Sequence, residues 1–373
     1  MIMIKEFSSI YIHIPFCEQK CFFCSFVVCV SKKHRIDEYL KSLSLEMKKY
    51  KGQKISTIYI GGGTPSVLNE EEIKELFRII KNNFFIQKKC EITFEVNPDS
   101  MSFKKAKVLK ALGVNRISIG AQTFSKKYLE FLGRTHKSSD IKKCMSTMRS
   151  AGFININLDF MYGFPGQILQ EVRRDLKKMI NLKSDHLSLY TLSIEPNSKF
   201  YRKGMLLPLE STMEKFYLST CEVLDQNGFD QYEISNFSQE GKESKHNCVY
   251  WQGGDYVGFG IGAHSHLKGR RFWNISKLYE YITKIKDGQS SIEDKEYLKI
   301  DDRMIEQLLF GLRMNAGVNL GSLKKRFGKE IPGKKRNLIN QFIDDGFLEV
   351  RRGFLKATKT GRLILDELSA RLI

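Results

Sequence analysis

Short runs of β-branched and aromatic residues alternate with amphipathic segments over the first half of the chain. Six runs have the length and composition of strands: residues 9–16, 56–63, 91–97, 116–122, 156–163 and 186–194. The segments between them repeat apolar residues at helical spacing: 35–50, 69–82, 103–113, 139–152 and 170–180. This alternation predicts an α/β fold with a parallel sheet, either barrel-like or doubly wound.

Several of these strands carry one polar face, which favours the barrel. Thr93 and Glu95 alternate with Ile92 and Phe94, and Asp159 lies between two apolar residues. Parallel strands that are covered by helices on both faces usually consist of continuous apolar runs. The polar faces therefore predict a partial (βα)6 TIM-like barrel whose lumen holds a polar ligand.

The pattern changes at about residue 299. Helical segments are followed by a short hairpin (347–358) and a last helix, which predicts a small winged-helix-like domain. We thus expect a barrel core over 1–240, a Gly- and aromatic-rich extension over 241–298, and a C-terminal domain over 299–373. Winged helices bind DNA or protein, so this domain alone predicts no nucleic-acid role.

Composition narrows the class of protein. A hydrophobic content of 42% over 373 residues excludes disorder as the main state, and the net charge is +19. Such a charge is compatible with nucleic-acid binding, but the lysines lie in ordinary amphipathic patterns, so we do not expect a nucleic-acid partner. The longest apolar run, residues 22–30, is too short to span a membrane. With no recognisable secretion signal, we expect a cytoplasmic protein.

Cys17, Cys21 and Cys24 follow the first predicted strand, at the edge where parallel α/β folds place their chemistry. Their C-x3-C-x2-C spacing matches neither the paired cysteines of zinc sites nor the four-cysteine run of ferredoxins. Three thiolates on a four-iron cluster would leave one iron open to another ligand. A zinc site completed by Cys29 or His13 is the alternative.

The stretch YIHIPFCEQKCFFC (11–24) resembles the signature of the radical S-adenosylmethionine family. Further segments narrow the resemblance to the branch of the coproporphyrinogen oxidase HemN and the heme chaperone HemW: GGGTP, FEVNPD, SIGAQTF, GRTH, LDFMYGFPGQ, GDYVGFGIGAHS and GLRMNAGV. The resemblance implies a [4Fe-4S] cluster on the three cysteines, with S-adenosylmethionine on the open iron. It also implies reductive cleavage of S-adenosylmethionine, fed by an electron donor such as flavodoxin or ferredoxin.

The same resemblance implies S-adenosylmethionine-binding residues. Three would contact the cluster-bound molecule: Tyr11, Gly62 and Glu95. Five would form the pocket that holds a second molecule in HemN: Gly63, Thr64, Gln122, Arg134 and Asp159. Glycines allow close backbone approach, carboxylates accept from ammonium or hydroxyl groups, and arginine can clamp a carboxylate. As alternatives, Glu95 and Asp159 could form buried ion pairs with Arg116, and Arg134 could be an ordinary surface arginine.

Two departures from HemN favour the chaperone. Phe26 stands where HemN carries a fourth cysteine, and ten residues precede Tyr11 where HemN has a longer extension. Both features resemble the heme chaperone, so we expect that branch.

HNCVYW (246–251) matches the HNxxYW motif associated with heme binding in that branch. It would supply His246 as an axial ligand, with Tyr250 and Trp251 stacking on the macrocycle. A buried, hydrogen-bonded histidine is the alternative, and His264 and His266 are then the further candidate ligands.

We therefore expect a heme chaperone that holds an open-site cluster with S-adenosylmethionine and delivers heme to an acceptor protein. The second hypothesis is an oxygen-independent coproporphyrinogen III oxidase, which would use radical chemistry on propionate side chains. A radical enzyme that modifies tRNA would explain the positive charge, but the sequence has no recognisable RNA-binding motif.

Overall fold

A computed structural model describes residues 6–373, and it contains the predicted alternation of strands and helices. Up to residue 240 the strands are β1 (Ser9–Ile14), β2 (Phe16–Cys17), β3 (Cys29–Val30), β4 (Lys54–Gly62), β5 (Phe85–Val96), β6 (Arg116–Gln122), β7 (Ile156–Tyr162), β8 (His186–Thr191), β9 (Asp230–Glu233) and β10 (Asn236–Ser238). The helices are α1 (Ile36–Lys48), α2 (Glu70–Asn83), α3 (Phe103–Ala111), α4 (Lys126–Leu132), α5 (Ser138–Ser150), α6 (Leu169–Asn181), α7 (Lys199–Arg202) and α8 (Glu210–Asp225).

Beyond residue 240 the elements are shorter and more mixed. The strands are β11 (Val257–Phe259), β12 (His264–Leu267), β13 (Arg270–Asn274), β14 (Ile292–Tyr297), β15 (Val318–Asn319), β16 (Leu348–Arg351) and β17 (Phe354–Ala357). The helices are α9 (Lys245–Trp251), α10 (Leu278–Lys286), α11 (Ile300–Leu312), α12 (Leu320–Phe327), α13 (Gly333–Asp344), α14 (Lys359–Leu363) and α15 (Leu365–Leu372). Within residues 6–373, none of the helices has both the length and the apolar character that crossing a membrane requires.

Nine strands form one sheet in the order β11-β1-β4-β5-β6-β7-β8-β10-β9. The seven strands from β11 to β8 run parallel, and β10 and β9 continue the sheet in antiparallel pairs. Helices connect each pair of successive parallel strands from β1 to β8. The sheet ends at β11 and β9 without joining them, so the architecture is the partial (βα)6 barrel that the sequence predicts.

The alternation of side chains along the strands separates the hydrophobic core from the lumen. Phe94 and Leu158 are fully buried in a core built from residues between 7 and 285. Their neighbours Glu95 and Asp159 point to the opposite side, because successive side chains of a strand alternate between its faces. The barrel therefore gathers its carboxylates in the lumen.

The extension predicted over 241–298 joins the same sheet, since β11 pairs in parallel with β1 and aligns Phe259 with Ile12. β12, β13 and β14 form a separate antiparallel sheet beside it. Val257 and Phe259 belong to the barrel's core. The boundary at 240/241 stays a prediction, and residues 1–5 of the predicted core lie outside the described part.

The C-terminal region has a second hydrophobic core, which is built from residues between 304 and 372. Three helices, α11 to α13, precede the predicted hairpin of β16 and β17. The short strand β15 adds a third strand to this hairpin, and α14 and α15 complete the domain. This order of helices and strands is the winged-helix-like arrangement that the sequence predicts.

Candidate functional site

A large cavity opens where the parallel strands end. It contains about 1690 Å³ of space not filled by atoms, measured out to its open mouth. Ten of the eleven residues predicted to bind the cluster and S-adenosylmethionine line it: Cys17, Cys21, Cys24, Gly62, Gly63, Thr64, Glu95, Gln122, Arg134 and Asp159. The fold thus brings together motifs that are more than 140 residues apart in the sequence.

The three cysteines lie at one side of this cavity with free thiols. Cys17 is buried at the end of β2, and Cys21 and Cys24 are half-buried in the loop that follows. A turn joins the latter two, since the Cys24 N–H donates to the Cys21 carbonyl at 3.2 Å. Arg134 Nη1 donates to Cys21 Sγ at 3.5 Å, and Thr64 Oγ1 lies 3.3 Å from Cys17 Sγ.

The donor set fits an open [4Fe-4S] cluster better than the zinc alternative. Burial raises the pKa of Cys17 to about 11, so that without a metal this thiol is protonated at neutral pH. His13 is engaged elsewhere, because Tyr11 OH lies 2.9 Å from its Nδ1 and its Nε2 contacts Val27 O at 2.8 Å. Cys29 pairs in β3 and lies outside the cavity lining. Three thiols beside open space leave room for an exogenous fourth ligand.

Two glycines let the backbone come close to this space. Gly62 has φ +113°, and a Cβ there would lie 2.5 Å from the imidazole of His13. A Cβ at Gly63 would lie 2.7 Å from the backbone of Pro15 and 3.0 Å from Cys17 Sγ. Only glycine fits these positions, so backbone groups form this part of the cavity wall.

Glu95 is held at the base of the cavity by two donors. Tyr59 OH donates to its Oε1 at 2.7 Å, and the Gly62 N–H donates to its Oε2 at 3.2 Å. Desolvation and the nearby charge of Asp159 raise the pKa of Glu95 to about 7, against the opposing effect of these hydrogen bonds. A ligand ammonium group would favour the ionised form, as the predicted role requires.

Asp159 is fixed by neutral neighbours rather than by an ion pair. Asn157 Nδ2 donates to its Oδ1 at 2.8 Å, and Ser118 Oγ donates to its Oδ2 at 3.2 Å. Burial raises the pKa of Asp159, and the charge of the buried Arg116 acts in the opposite direction. The carboxylate therefore keeps free acceptor capacity toward the cavity.

Arg134 and Gln122 are held in position at the cavity wall. Arg134 Nη2 donates to the Gly120 carbonyl at 2.5 Å and to Asn97 Oδ1 at 3.0 Å, so it is not a free surface arginine. Gln122 adopts φ +65°, which is uncommon for a residue with a side chain and is found at functional sites. Both side chains present polar groups to the same space.

One predicted residue lies outside the cavity, and two residues of the cavity were not among the predicted site residues. Tyr11 lies outside the cavity lining, next to Tyr59, whose ring centroid is 6.2 Å away. Tyr59 and Asn97, by contrast, line the cavity and hold predicted site residues. The signals for them were the inward position of Tyr59 in the strand before GGG and the place of Asn97 in FEVNPD.

The HNCVYW motif forms α9, outside this cavity. His246 is fully buried, with Thr57 Oγ1 2.9 Å from its Nδ1 and Tyr250 OH 2.7 Å from its Nε2. Burial lowers the pKa of His246 to about 3. Both ring nitrogens are occupied in this conformation, so heme ligation by His246 requires α9 to move and stays a prediction. Tyr250 and Trp251 line a second, smaller cavity.

Two family models match the chain. The model described as the radical SAM superfamily matches residues 11–179, and the HemN C-terminal domain model matches residues 298–364. A solved structure entitled coproporphyrinogen III oxidase (HemN) from Escherichia coli is similar in fold, with a TM-score of 0.87. The match covers 98% of this chain and 90% of that one at 23% sequence identity.

Relatives named heme chaperone HemW match the chain over almost its whole length. The Bacillus subtilis protein is 36% identical over 371 residues, which is 96% of this chain and 97% of that protein. The Lactococcus lactis protein is also 36% identical, over 96% of this chain and 95% of that one. The chain therefore belongs to the HemW family of radical S-adenosylmethionine proteins.

Proposed function

We propose that this protein is a cytoplasmic heme chaperone that binds heme, holds an open-site [4Fe-4S] cluster with S-adenosylmethionine, and passes heme to an acceptor protein. The observation that carries the proposal is the near full-length match to proteins named heme chaperone HemW. A reducing compartment suits the free thiols of the cysteine motif, and an electron donor such as flavodoxin or ferredoxin would reduce the cluster.

The cavity supports the cofactor part of the proposal. Cys17, Cys21 and Cys24 would hold three irons and leave the fourth to S-adenosylmethionine, which the reduced cluster can cleave. Gly62 would present its backbone to the amino acid part of the ligand, and Glu95 would accept from its ammonium group. Tyr59 keeps that carboxylate in place.

The predicted pocket for a second S-adenosylmethionine is also supported by the lining of the cavity. Gly63, Thr64, Gln122, Arg134 and Asp159 line the cavity with the residues above. Together they offer backbone, amide, hydroxyl, cationic and carboxylate groups, which suit a zwitterionic ligand with ribose hydroxyls. A second S-adenosylmethionine at these residues stays a prediction.

An oxygen-independent coproporphyrinogen III oxidase is the second candidate, because the fold is that of the HemN structure. Phe26 separates the two proposals. It lines the cavity and is 64% exposed, at the place where HemN carries a fourth cysteine. An exposed phenylalanine offers no thiol to the cavity, so this position favours the chaperone.

The test uses the full chain with an anaerobically reconstituted cluster. One sample is mixed with hemin and passed through gel filtration, and a second receives coproporphyrinogen, S-adenosylmethionine and a reductant. We expect retained heme with a defined Soret band and no decarboxylated porphyrin. Turnover of coproporphyrinogen by a protein that retains no heme would establish the oxidase instead.

A further inference from the structure

The helix α9 is attached to β4 and β5 of the barrel through His246. The His246 N–H donates to Glu91 Oε1 of β5 at 2.9 Å, in the first turn of the helix. Its side chain reaches β4, where Thr57 Oγ1 lies 2.9 Å from Nδ1. On the other side of the ring, Tyr250 OH lies 2.7 Å from Nε2. The imidazole is therefore fixed at both ring nitrogens, and the backbone that carries it is fixed as well.

The side chain of Tyr59 connects this imidazole to Glu95. Thr57 and Tyr59 are two residues apart on β4, so their side chains lie on the same face of the sheet. The ring centroids of Tyr59 and His246 are 5.3 Å apart, and the ring planes differ by 33°. The hydroxyl of Tyr59 donates to Glu95 Oε1 at 2.7 Å. Contacts thus lead from α9 to the carboxylate at the base of the large cavity.

Tyr59 can hold Glu95 only while its ring keeps its orientation. The residue is half-buried and lines the cavity, so part of its surface has no protein packed against it. Rotation of the ring about the Cα–Cβ bond would carry the hydroxyl away from Glu95. Two aromatic rings lie near it: Tyr11, with centroids 6.2 Å apart, and His246, with centroids 5.3 Å apart. The closer ring, held by two hydroxyls, limits this rotation.

The imidazole of His246 supports Tyr59 without adding a charge. Burial lowers the pKa of His246 to about 3, and the positive charge of Arg116 acts in the same direction. A neutral ring suits a pocket for a ligand with a sulfonium and an ammonium group, because a further cation would repel both. The titratable or charged groups whose charges act on Glu95, or on which its charge acts, are Tyr11, Tyr59, Arg116, Asp159, Tyr190 and Tyr250.

We infer that His246 is a positioning residue of the S-adenosylmethionine pocket: it fixes the ring of Tyr59, which holds Glu95 toward the ligand. The packing of α9 and the binding of the ligand then stabilise each other, because such a coupling acts equally in both directions. The inference rests on the S-adenosylmethionine site of the proposed function. It gives the histidine of the HNCVYW motif a role at that site.

The test measures S-adenosylmethionine affinity by isothermal titration calorimetry from pH 6 to pH 8, with the full chain and its cluster reconstituted. We expect His246→Ala to weaken binding about fivefold or more at pH 7. The rise of affinity with pH should move to higher pH, because Glu95 loses a hydrogen bond that lowers its pKa. Tyr59→Phe should act in the same way. Tyr162→Phe, the same substitution on the core face of β7, is the control and should change neither quantity.

His246→Phe separates positioning from general stability. Phenylalanine keeps a ring against Tyr59 but has no nitrogen for the hydroxyls of Thr57 and Tyr250. We therefore expect a lower thermal midpoint, as for His246→Ala, together with the affinity and pH profile of the parent protein. If His246→Phe folds and binds as weakly as His246→Ala, the histidine acts through stability alone and the inference is wrong.

A double-mutant cycle tests the route through Tyr59 with variants that do not enlarge the ring. In the Tyr59→Phe background, His246→Ala should weaken binding no further, because the hydroxyl that it positions is already absent. Additive losses would contradict this route.

Amide hydrogen exchange tests the coupling in the opposite direction. Saturating S-adenosylmethionine should slow exchange within residues 245–252 of the parent protein, and Tyr59→Phe should abolish most of this protection. Exchange in α9 that does not respond to the ligand in the parent protein would refute the coupling.

The outcomes separate this inference from the proposed function. A parent protein with a complete cluster that binds no S-adenosylmethionine would overturn the cofactor part of the proposed function. A parent protein that binds it, with His246→Ala unchanged in affinity and pH profile, would leave the proposed function standing and remove His246 from the pocket.

Discussion

The ionisation of Glu95 changes the charge at the base of the proposed S-adenosylmethionine pocket. Because its pKa is raised to about 7, the carboxyl is neutral in much of the protein below neutral pH and ionised above it. Only the ionised form attracts the ligand's ammonium group. The affinity for S-adenosylmethionine should therefore rise with pH around neutrality, where most carboxylates are already ionised.

The prediction is a pH-dependent ratio of affinities. We expect the parent protein to bind S-adenosylmethionine more tightly than Glu95→Gln, and the ratio of the two affinities to rise about tenfold from pH 6 to pH 8. Taking the ratio cancels the titration of the ligand itself. Isothermal titration calorimetry measures both proteins. Asp159→Asn removes a charge that raises the pKa of Glu95, so its affinity should rise with pH over a lower range than that of the parent protein. A ratio that does not change with pH would remove Glu95 from the binding site.

Single residues also show how far sequence motifs locate a site. Gly62 and Arg134 line the cavity, and each belongs to a recognisable motif, the first at the end of β4 and the second just after α4. Tyr59 was not singled out in the sequence, because a tyrosine that alternates with isoleucines is equally typical of a core strand. Its role depends on a hydrogen bond to a residue of the next strand, which the sequence does not specify.

At the scale of the element, α9 shows that a local sequence pattern does not determine where a segment packs in the tertiary structure. The motif HNCVYW is compatible with a heme-binding loop and with a buried helix, because both combine polar and aromatic side chains. The partner that decides between them, Thr57, comes from β4, almost 190 residues earlier. Periodicity predicted the parallel strands well, but β11 is a strand only through its pairing with β1.

Replacement of His246 tests the structural role of α9. His246→Leu would leave the hydroxyls of Thr57 and Tyr250 without their ring partners inside the protein. At about 1–3 kcal/mol for each unsatisfied group, we expect a loss of roughly 2–5 kcal/mol in stability and a thermal midpoint several degrees lower. Differential scanning calorimetry measures the midpoint.

A second substitution provides the control for this effect. Thr57→Val in the His246→Leu background removes one stranded hydroxyl at similar volume, so it should recover part of the lost stability. The two substitutions should therefore be non-additive, as expected for side chains in direct contact. An unchanged midpoint in His246→Leu would show that the hydrogen bonds of this histidine do not hold α9 in place.

At the scale of the whole molecule, long-range packing creates features that no segment predicts. The second, smaller cavity combines Trp251, His266 and Arg303 from three separate elements. The local sequence can account for each of these elements by itself. Which of them come into contact depends on how the C-terminal domain packs on the extension. Sequence patterns report the burial of one face, and they do not report which distant face covers it.

Glu46 of α1 forms a polar link between the barrel and the extension. Its carboxylate is buried and accepts four hydrogen bonds: from Gly260 N at 2.9 Å, Asn274 Nδ2 at 2.6 Å, Tyr281 OH at 2.6 Å and Ser291 Oγ at 2.9 Å. Burial raises the pKa of Glu46, and the four donors oppose that rise. One carboxylate thus satisfies donors from four separate positions of the extension.

Removal of this carboxylate should loosen the extension as a unit. Glu46→Leu leaves four donors unsatisfied, so we expect a stability loss of about 4 kcal/mol or more, together with faster proteolysis within residues 260–291. Calorimetry and timed protease digestion with mass spectrometry measure the two effects. Glu38→Leu, the same substitution on the outer face of α1, is the control and should change the midpoint little, because its partner Arg35 forms only a partly exposed ion pair. If digestion of Glu46→Leu begins in the C-terminal domain instead, the extension is held to the barrel by its apolar packing and not by this carboxylate.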